Sequence, residues 1–325
     1  MNRLIRIGVL GCAHIAERSV IPSLLQLSDC FILIRLASRS AERAEAFSRK
    51  FALESVVGYE GLLDSQELDA VYIPLPNGLH AKWVEYALDR GLHVLVEKSL
   101  GCSFEEVNRL NDLAESRGLV LLENFQFRFH RQMSRVIDIL KSGELGELRA
   151  MRSSFGFPPF PDASNIRYDS ALGGGSLLDA GAYTLKISQL ILGLDIEVLA
   201  ANLFRTTGHE VDIFGGAHLR QQGGNAFSQV AFGFDQQYQC NLELWGSRGH
   251  LFTDRIFTAP PGHTCKISIE TGPRKKVIEV EPDDHFQAML RHFYDLIQGL
   301  ADRKREYLEN RNQSRLIADV FAMAN

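Results

Sequence analysis

The sequence has no apolar run long enough to cross a lipid bilayer and no excess of basic residues. Its 35 Lys and Arg residues are outnumbered by 40 Asp and Glu residues, which gives a formal net charge of −5 at pH 7. Because nucleic acids and anionic membrane surfaces attract basic proteins, we expect no nucleic-acid partner and no membrane partner. The composition, 45% hydrophobic and 23% charged, is that of an ordinary globular protein.

Neither the cysteines nor the histidines have the spacing of metal ligands. The five cysteines are scattered and contain no C-x-x-C pair, and the ten histidines include no H-E-x-x-H motif. An odd number of scattered cysteines is typical of reduced thiols in the cytoplasm. We therefore expect a cytoplasmic protein without a metal site.

Residues 71–100 combine a strand, a helix and a second strand. The strand segments, 71–73 and 93–96, are almost wholly apolar, as in parallel strands that are covered on both faces. The helix between them is predicted to end near Gly91, since glycine is common just after helices. Ligands bind beyond the carboxyl ends of parallel strands, so Lys98 is predicted to lie in a binding crevice. The alternative is a surface lysine at a strand end.

The N-terminal segment is similar to a dinucleotide-binding turn with an incomplete glycine fingerprint. An apolar strand, residues 4–10, is followed by G-C-A-H-I-A, starting at Gly11, and then by a helical pattern. Alanine in place of the third glycine still allows the helix and strand to pack closely. Ala13, in place of the second glycine, is less favourable because the backbone there approaches a pyrophosphate. We predict that Gly11, Ala13, His14 and Ile15 contact a dinucleotide.

The second predicted strand, residues 30–37, ends in Ser38-Arg39-Ser40. A site that prefers NAD would place an acidic residue here to bind the ribose 2′-hydroxyl. A hydroxyl and a guanidinium instead suit a 2′-phosphate, through charge-assisted hydrogen bonds. The alternative is that Arg39 is a solvated residue beside the next helix. We predict NADP(H) rather than NAD(H) as the cofactor.

From about residue 146 the pattern changes to successive β-rich segments. They are residues 148–155, 197–207, 227–234, 239–245 and 275–280, with glycine and proline turn signals between them. One helix follows Gly173-Gly174-Gly175, and helical patterns return at 284–299 and 312–323. This order predicts a parallel α/β domain followed by a mainly antiparallel sheet.

The helix after the triple glycine carries the residues best suited to proton transfer. Asp179 and Tyr183 are four positions apart, so both project from one face of that helix, and Gly181 between them allows close approach of a neighbour. Arg167 lies in the loop just before it. The alternative for Tyr183 is a core tyrosine with a hydrogen-bonded hydroxyl, which is the commoner state of a tyrosine.

Four motifs together resemble those of the glucose-fructose oxidoreductase / inositol dehydrogenase / MocA (Gfo/Idh/MocA) family. They are G-V-L-G-C-A-H-I-A near the start, P-N-G-L-H at 76–80, E-K-S at 97–99 and G-G-G-S-L-L-D-A-G-A-Y at 173–183. The resemblance implies an N-terminal Rossmann domain with a doubly wound parallel sheet, residues 1–124. It also implies a C-terminal α+β domain, residues 125–325, whose large, open, mainly antiparallel sheet serves substrate binding and oligomerisation. A homodimer or homotetramer is implied, because relatives bury that sheet between subunits.

The resemblance also implies a nicotinamide cofactor and hydride transfer at a sugar or polyol carbon. Lys98 matches the lysine of the family's E-K-P motif, although Ser99 replaces the proline and alters the local turn. Tyr183 stands where many members have histidine, and a tyrosine there is similar to sugar-nucleotide ketoreductases and dihydrodiol dehydrogenases. The I-R-Y and G-G-G-S-L-L-D-A-G-A-Y segments resemble the nucleotide-hexose 3-ketoreductases in particular.

The resemblance therefore implies NADPH-dependent reduction of a keto group on a sugar, with a nucleotide-linked keto-hexose as the expected substrate. We expect Tyr183 to donate the proton, because a neighbouring ammonium, that of Lys98, favours proton release from a phenol and stabilises charge on the carbonyl oxygen. The predicted cofactor-binding residues are Gly11, Ala13, His14, Ile15, Ser38, Arg39, Pro74, Asn77, His80, Glu97 and Lys98. The predicted substrate-binding residues are Arg128, Arg167 and Asp179.

Other interpretations of these residues stay open. Asn77 and His80 could instead be a helix N-cap and a residue of the first helical turn. The activity could be that of an NADP-dependent dehydrogenase acting on a free sugar or a cyclic diol. The chain could also be a non-catalytic, cofactor-sensing regulator, although the presence of both Lys98 and Tyr183 argues against that class.

Overall fold

The computed structural model describes residues 3–324. The start of the first predicted domain, at residue 1, and the end of the second, at residue 325, lie outside the described residues. The described residues form two compact units. The first contains the residues up to Asn124 together with Phe286–Arg311, and the second contains Phe125–His285 and the residues from Asn312 onward. Among residues 3–324, no helix has the length and apolar character needed to cross a membrane.

The first unit is built on a six-stranded parallel sheet. Its strands are β1 Ile5–Leu10, β2 Phe31–Ser38, β3 Glu54–Val57, β4 Ala70–Ile73, β5 His93–Glu97 and β6 Leu121–Asn124. Their order is β3-β2-β1-β4-β5-β6, with parallel pairing throughout. This is the doubly wound order of a dinucleotide-binding sheet, whose direction of winding reverses between β1 and β4. The predicted Rossmann fold is confirmed.

Helices connect these strands, and serine caps define two of their starts. A π-helical turn, Ala16–Val20, leads into α1 Ile21–Gln26; the others are α2 Ala41–Phe51, α3 Glu60–Leu63, α4 Asn77–Asp89 and α5 Phe104–Ser116. The side chains of Ser40 and Ser103 accept hydrogen bonds from the first turns of α2 and α5. Fully buried residues such as Val71, Val94 and Leu110 form the core between the sheet and its helices.

The C-terminal segment Phe286–Arg311 packs with the first unit, whereas the division predicted from the sequence placed it in the second domain. The segment holds most of α8, His285–Gln298, and the start of α9, Arg303–Ala324. The Phe293 ring stacks on Phe31 of β2 at 6.5 Å, and Tyr307 is buried in the core. A helical pattern shows that a helix has an apolar face, but not which sheet that face covers.

The second unit is built on an eight-stranded sheet. Its strands are β7 Leu148–Gly156, β8 Ile196–Phe204, β9 Phe214–Gln221, β10 Phe227–Gly233, β11 Gln239–Gly246, β12 His250–Asp254, β13 Cys265–Thr271 and β14 Arg274–Val280. The order is β14-β13-β12-β11-β7-β10-β9-β8, and neighbours are antiparallel except for β7 and β10. The predicted large, mainly antiparallel sheet is confirmed.

Two helices of the second unit, α6 Arg131–Lys141 and α7 Ala182–Leu192, accompany this sheet. α7 packs against β7 and β10 and is buried along most of its length. The opposite face exposes Trp245 and, on neighbouring strands, Phe252 and Val277, which the strand register places on one side of the sheet. One face of the sheet is therefore open within the chain.

Candidate functional site

The predicted cofactor-binding residues of the first unit follow four of its parallel strands. Gly11 follows β1, Arg39 follows β2, Pro74 follows β4 and Lys98 follows β5. Because the carboxyl ends of parallel strands share one edge of a sheet, these residues lie along the edge where such folds bind ligands. The structure thus gathers residues from four separate stretches of sequence.

The turn after β1 has a backbone geometry that requires glycine at position 11. Gly11 has φ +130°, and a Cβ added to it would lie 2.8 Å from Cδ2 of Leu75. Glu17 N–H donates to Ala13 O at 3.1 Å, so the helix begins at this turn, and its first amides have no partner within the helix. Among the described non-glycine residues only Ala52 and Arg255 have positive φ, so the backbone at Ala13 does not demand glycine. The turn fits a pyrophosphate at the helix N-terminus.

Two arginines, not one, lie near the end of β2. Arg39 is exposed, and Arg43 lies in the first turn of α2, where its N–H donates to the Ser40 hydroxyl. Burial raises the pKa of the Tyr59 phenol, while the nearby positive charges of Arg39 and Arg43 oppose that rise. Ser38 is buried and accepts a hydrogen bond from Ser40 N–H at 3.2 Å. Neither Arg43 nor Tyr59 was predicted from the sequence, where only the spacing S-R-S-x-x-R indicates a second arginine.

The residues after β4 hold the backbone that follows Lys98. Asn77 Oδ1 accepts a hydrogen bond from Ser99 N–H at 3.1 Å. His80 is fully buried, and its ring nitrogens lie 2.7 Å from Ser99 O and 2.7 Å from Leu75 O. Burial lowers the pKa of His80 to about 4, so the ring is neutral at pH 7 and donates to one of these two carbonyls. The Lys98–Ser99 peptide bond is cis.

Glu97 is held by neighbours within the first unit. Its Oε1 accepts hydrogen bonds from the Tyr72 hydroxyl and from Asn124 Nδ2, each at 2.7 Å. Burial raises the pKa of Glu97, and these two donors together with the Lys98 ammonium oppose the rise. Glu97 is therefore an ordered carboxyl directly before Lys98.

In the second unit, the triple glycine lets the loop that contains Arg167 pack closely against the start of the helix that carries Asp179 and Tyr183. A Cβ on Gly174 would lie 2.6 Å from Arg167 O, and Gly175 has φ +111°. The Asp212 carboxylate accepts from the Ser176 hydroxyl at 2.6 Å and from Leu177 N–H at 2.7 Å. These contacts set the start of a π-helical turn, Leu177–Gly181, which leads into α7. Asp212 was not identified from the sequence, where it is one acidic residue among many.

Two of the predicted substrate-binding residues form an ion pair. Arg167 Nε donates to Asp179 Oδ2 at 2.7 Å, and the guanidinium carbon lies 4.9 Å from the Phe160 ring centre. The Asp179 carboxylate raises the pKa of Arg167, with Tyr183 contributing in the same direction. The pair joins the loop to the helix and leaves the Arg167 side chain 38% exposed.

Tyr183 lies in an aromatic box within the second unit. Its ring centre is 5.2 Å from Phe155, 5.5 Å from Phe125 and 5.5 Å from Phe257. Gln126 Nε2 donates to the Tyr183 hydroxyl at 3.5 Å, and the residue is 8% exposed. The rings fix the orientation of the phenol, and Gln126 is a polar neighbour that was not predicted from the sequence.

Two further residues of this unit were singled out from the sequence: Gly181, for close approach of a neighbour, and Arg128, for substrate binding. A Cβ on Gly181 would lie 3.1 Å from the Phe232 ring, which confirms the predicted close approach. Arg128 is partly buried on a short helical turn, Gln126–Phe129, with its guanidinium carbon 4.6 Å from the Phe129 ring centre. Arg128 thus lies two residues after Gln126, whose amide donates to the Tyr183 hydroxyl.

Comparison with known proteins agrees with this architecture. Residues 5–125 match the model of an oxidoreductase family with an NAD-binding Rossmann fold, and residues 133–252 match that of the GFO/IDH/MocA C-terminal domain. A dTDP-3,4-didehydro-2,6-dideoxy-alpha-D-glucose 3-reductase from Saccharopolyspora spinosa is 40% identical over 86% of this chain and 82% of its own. A D-xylose 1-dehydrogenase (NADP(+)) from Haloferax volcanii is 35% identical over 88% of this chain and 87% of its own.

A solved structure has the same fold over nearly the whole chain. It is KijD10, a 3-ketoreductase from Actinomadura kijaniata in complex with NADP and TDP-benzene. It is 37% identical, with a TM-score of 0.94, over 99% of this chain and 98% of its own. These matches confirm the resemblance carried by the motifs: the chain belongs to the Gfo/Idh/MocA family of oxidoreductases.

Proposed function

We propose that the protein is an NADPH-dependent reductase of the keto group of a nucleotide-linked keto-hexose. The observation that carries this proposal is the similarity to the 3-reductase from Saccharopolyspora spinosa, 40% identical across 86% of the chain. Both units also contain the side chains that such a reaction needs, Lys98 in the first and Tyr183 in the second. We expect the dTDP-linked 3-keto sugars, the substrates named for that relative, to be reduced.

The edge of the first sheet fits NADP(H). The Gly11 turn offers backbone amides to a pyrophosphate, and Ser38, Arg39 and Arg43 offer a hydroxyl and two guanidiniums to a 2′-phosphate. Positions 38 and 39 are serine and arginine, whereas an NAD site has an acidic residue there to bind the ribose diol. When bound, the reduced nicotinamide supplies hydride to the keto carbon.

The chain's own residues then manage the proton and the charge. Tyr183 donates a proton to the oxygen of the substrate carbonyl, and Gln126 holds the phenol oxygen before transfer. Lys98 provides a positive charge that stabilises the developing alkoxide and favours proton loss from the phenol. The aromatic box around Tyr183 excludes water and strengthens these interactions.

The arginines of the second unit are the proposed substrate-binding residues. Arg167 is already paired with Asp179, so this pair presents both donors and acceptors, which suits sugar hydroxyls. Arg128 offers a guanidinium to a diphosphate. We therefore propose that Arg167 binds the sugar and Arg128 the diphosphate of the substrate.

A substrate panel tests the proposal. Purified protein is mixed with NADPH and dTDP-linked keto-hexoses, and oxidation of NADPH is followed by absorbance, with product identity from mass spectrometry. Free aldoses and cyclic diols with NADP form the second arm. Consumption of NADPH by the nucleotide keto-sugar supports the proposal, and turnover restricted to free sugars or diols contradicts it.

The second candidate is an NADP-dependent dehydrogenase of a free sugar. It is favoured by the 35% identity to the xylose dehydrogenase from Haloferax volcanii. The same panel separates the two, because that activity produces NADPH from NADP with the free sugar alone. Tight NADP binding without turnover of any carbonyl or sugar would instead favour a cofactor-sensing regulator.

We also propose that the protein is a cytoplasmic homodimer or homotetramer assembled through the open face of the second sheet. Trp245, Phe252 and Val277 expose apolar area there, beside Arg152, whose guanidinium carbon lies 4.3 Å from the Trp245 ring centre. All five cysteines carry free thiols, as suits a reducing compartment. Light scattering should give a dimer or tetramer, and Phe252→Glu should shift it toward monomer. A monomeric wild-type protein would contradict the assembly.

A further inference from the structure

The chain that follows Lys98 is held by side chains at consecutive backbone groups. Ser99 N–H donates to Asn77, and Ser99 O contacts the His80 ring, both on the first turns of α4. The next amide, that of Leu100, donates to the Glu123 carboxylate at 2.8 Å. Each of these contacts lies inside the first unit. The direction of the chain as it leaves Lys98 is thus set by side chains rather than by strand pairing.

The His80 ring also contacts a second loop. Its Nε2 lies 2.7 Å from Leu75 O in the loop after β4, while its Nδ1 lies 2.7 Å from Ser99 O in the turn after β5. The residue has no exposed surface, so its ring faces protein atoms and not solvent. One neutral imidazole therefore lies between two loops at the carboxyl edge of the sheet and donates to a carbonyl of one of them; one of these loops carries Lys98.

We propose that His80 is a positioning residue for Lys98: its buried ring holds the turn at Ser99 against the loop at Leu75 and so aims the Lys98 ammonium. This inference rests on the role proposed above for Lys98. It assigns His80 a contact with the protein backbone in place of the direct cofactor contact predicted from the sequence. An error of about 1 Å in the placement of a catalytic group costs on the order of a hundredfold in rate.

A double-variant comparison of turnover tests the inference. His80→Phe keeps a buried ring and removes both nitrogen contacts, and we expect kcat to fall about ten- to a hundredfold with little change in NADPH affinity. Lys98→Ala should lower kcat by itself. If His80 acts through Lys98, adding His80→Phe to Lys98→Ala should cost nothing more. His80→Gln, which keeps one donor, should restore part of the turnover.

A matched control separates positioning from general loss of folding. His93 is a partly buried histidine of the first unit, whose Nδ1 accepts from Val120 N–H at 2.9 Å, but it lies at the amino end of β5. His93→Phe should lower the melting temperature and leave kcat unchanged. Where His80→Phe fails to fold, His80→Gln with the same cycle replaces it.

The outcomes distinguish the inference from the function on which it rests. Wild-type kcat in Lys98→Ala removes the proposed role of Lys98, and the positioning role of His80 falls with it. A normal loss in Lys98→Ala, combined with wild-type kcat in the His80 variants or with fully additive losses, overturns the positioning role alone. A non-additive loss with partial rescue by glutamine supports it.

Discussion

The Asp212 carboxylate accepts a hydrogen bond from the Ser176 hydroxyl at 2.6 Å. It also accepts one from Leu177 N–H at 2.7 Å, so one side chain closes the start of the helix that leads to Tyr183. Asp212→Ala should lower the free energy of unfolding by about 2 kcal/mol, because two buried donors lose their acceptor. Ser176→Ala, which removes one of the two bonds, should cost less. Urea unfolding measures both, and an unchanged midpoint in Asp212→Ala would refute this account.

Tyr183→Phe should lower kcat by about a hundred- to ten-thousand-fold, because it removes the proposed proton donor and keeps the ring in its aromatic box. NADPH affinity, measured by fluorescence titration, should change little. Tyr238→Phe is the matched control: that hydroxyl lies 3.0 Å from the Thr258 hydroxyl and has no proposed role. Wild-type turnover in Tyr183→Phe would discard the catalytic assignment.

Arg39→Asp should weaken NADPH binding by about tenfold or more, through loss of a charge-assisted hydrogen bond to the 2′-phosphate, and weaken NADH binding much less. Arg43→Ala should act in the same direction. Arg49→Asp, an equal change of charge later on the same helix, should not discriminate between the cofactors. Equal losses for NADPH and NADH in Arg39→Asp would exclude recognition of the 2′-phosphate.

Arg167→Met should destabilise the protein by about 1 to 3 kcal/mol, since it strips Asp179 of a guanidinium partner in a partly exposed site. Asp179→Asn added to Arg167→Met should recover part of that loss, because the carboxylate that lost its guanidinium partner is then replaced by a neutral amide. Both variants should raise KM for the sugar substrate. Additive destabilisation in the double variant would show that the two side chains are not coupled.

Acid should destabilise the protein through its buried and partly buried histidines. Burial lowers the pKa of His80 and His93 to about 4 and that of His285 to about 3, from an ordinary value of 6.5. As the pH falls below 6.5, these histidines become protonated in the unfolded chain but stay neutral in the folded chain. The stability present at pH 7 is therefore lost progressively toward pH 4. Urea midpoints between pH 7 and pH 4.5 measure the slope.

His285→Phe should make that slope shallower, because one titrating group disappears. Val230→Ala, a buried apolar truncation in the same unit, should lower the midpoint by a similar amount at every pH. A slope that His285→Phe leaves unchanged would show that His285 does not contribute.

Much of the first unit could be predicted because its signals are local. The apolar strands near Val71 and Val94, the glycine after β1 and the serine and arginine after β2 each lie within a few residues of the feature they define. Parallel strands then place these residues on one edge, which is a rule of the fold and needs no distances. The family motifs extended the prediction to the second sheet.

Other features escaped the sequence for identifiable reasons. β9 begins Phe214-Gly215-Gly216, which reads as a turn, and β12 has only five residues beside Gly249. The last helix begins at Arg303 rather than at Asn312, because its first turns are rich in charge and lack an apolar stripe. Weak local patterns were decided by pairing with neighbouring strands and by packing.

The sequence by itself determined the fold class, the family and the residue types along the edge of the first sheet, since periodicity, turn residues and motifs are encoded within short segments. Only the tertiary structure decided that the His80 ring lies between Leu75 and Ser99, that Asp212 holds Ser176 and that Phe293 stacks on Phe31. Such partners lie far apart along the chain and become neighbours only when the sheets and helices pack. A pattern of residues names the groups available for a contact, and burial and geometry select which of them make it.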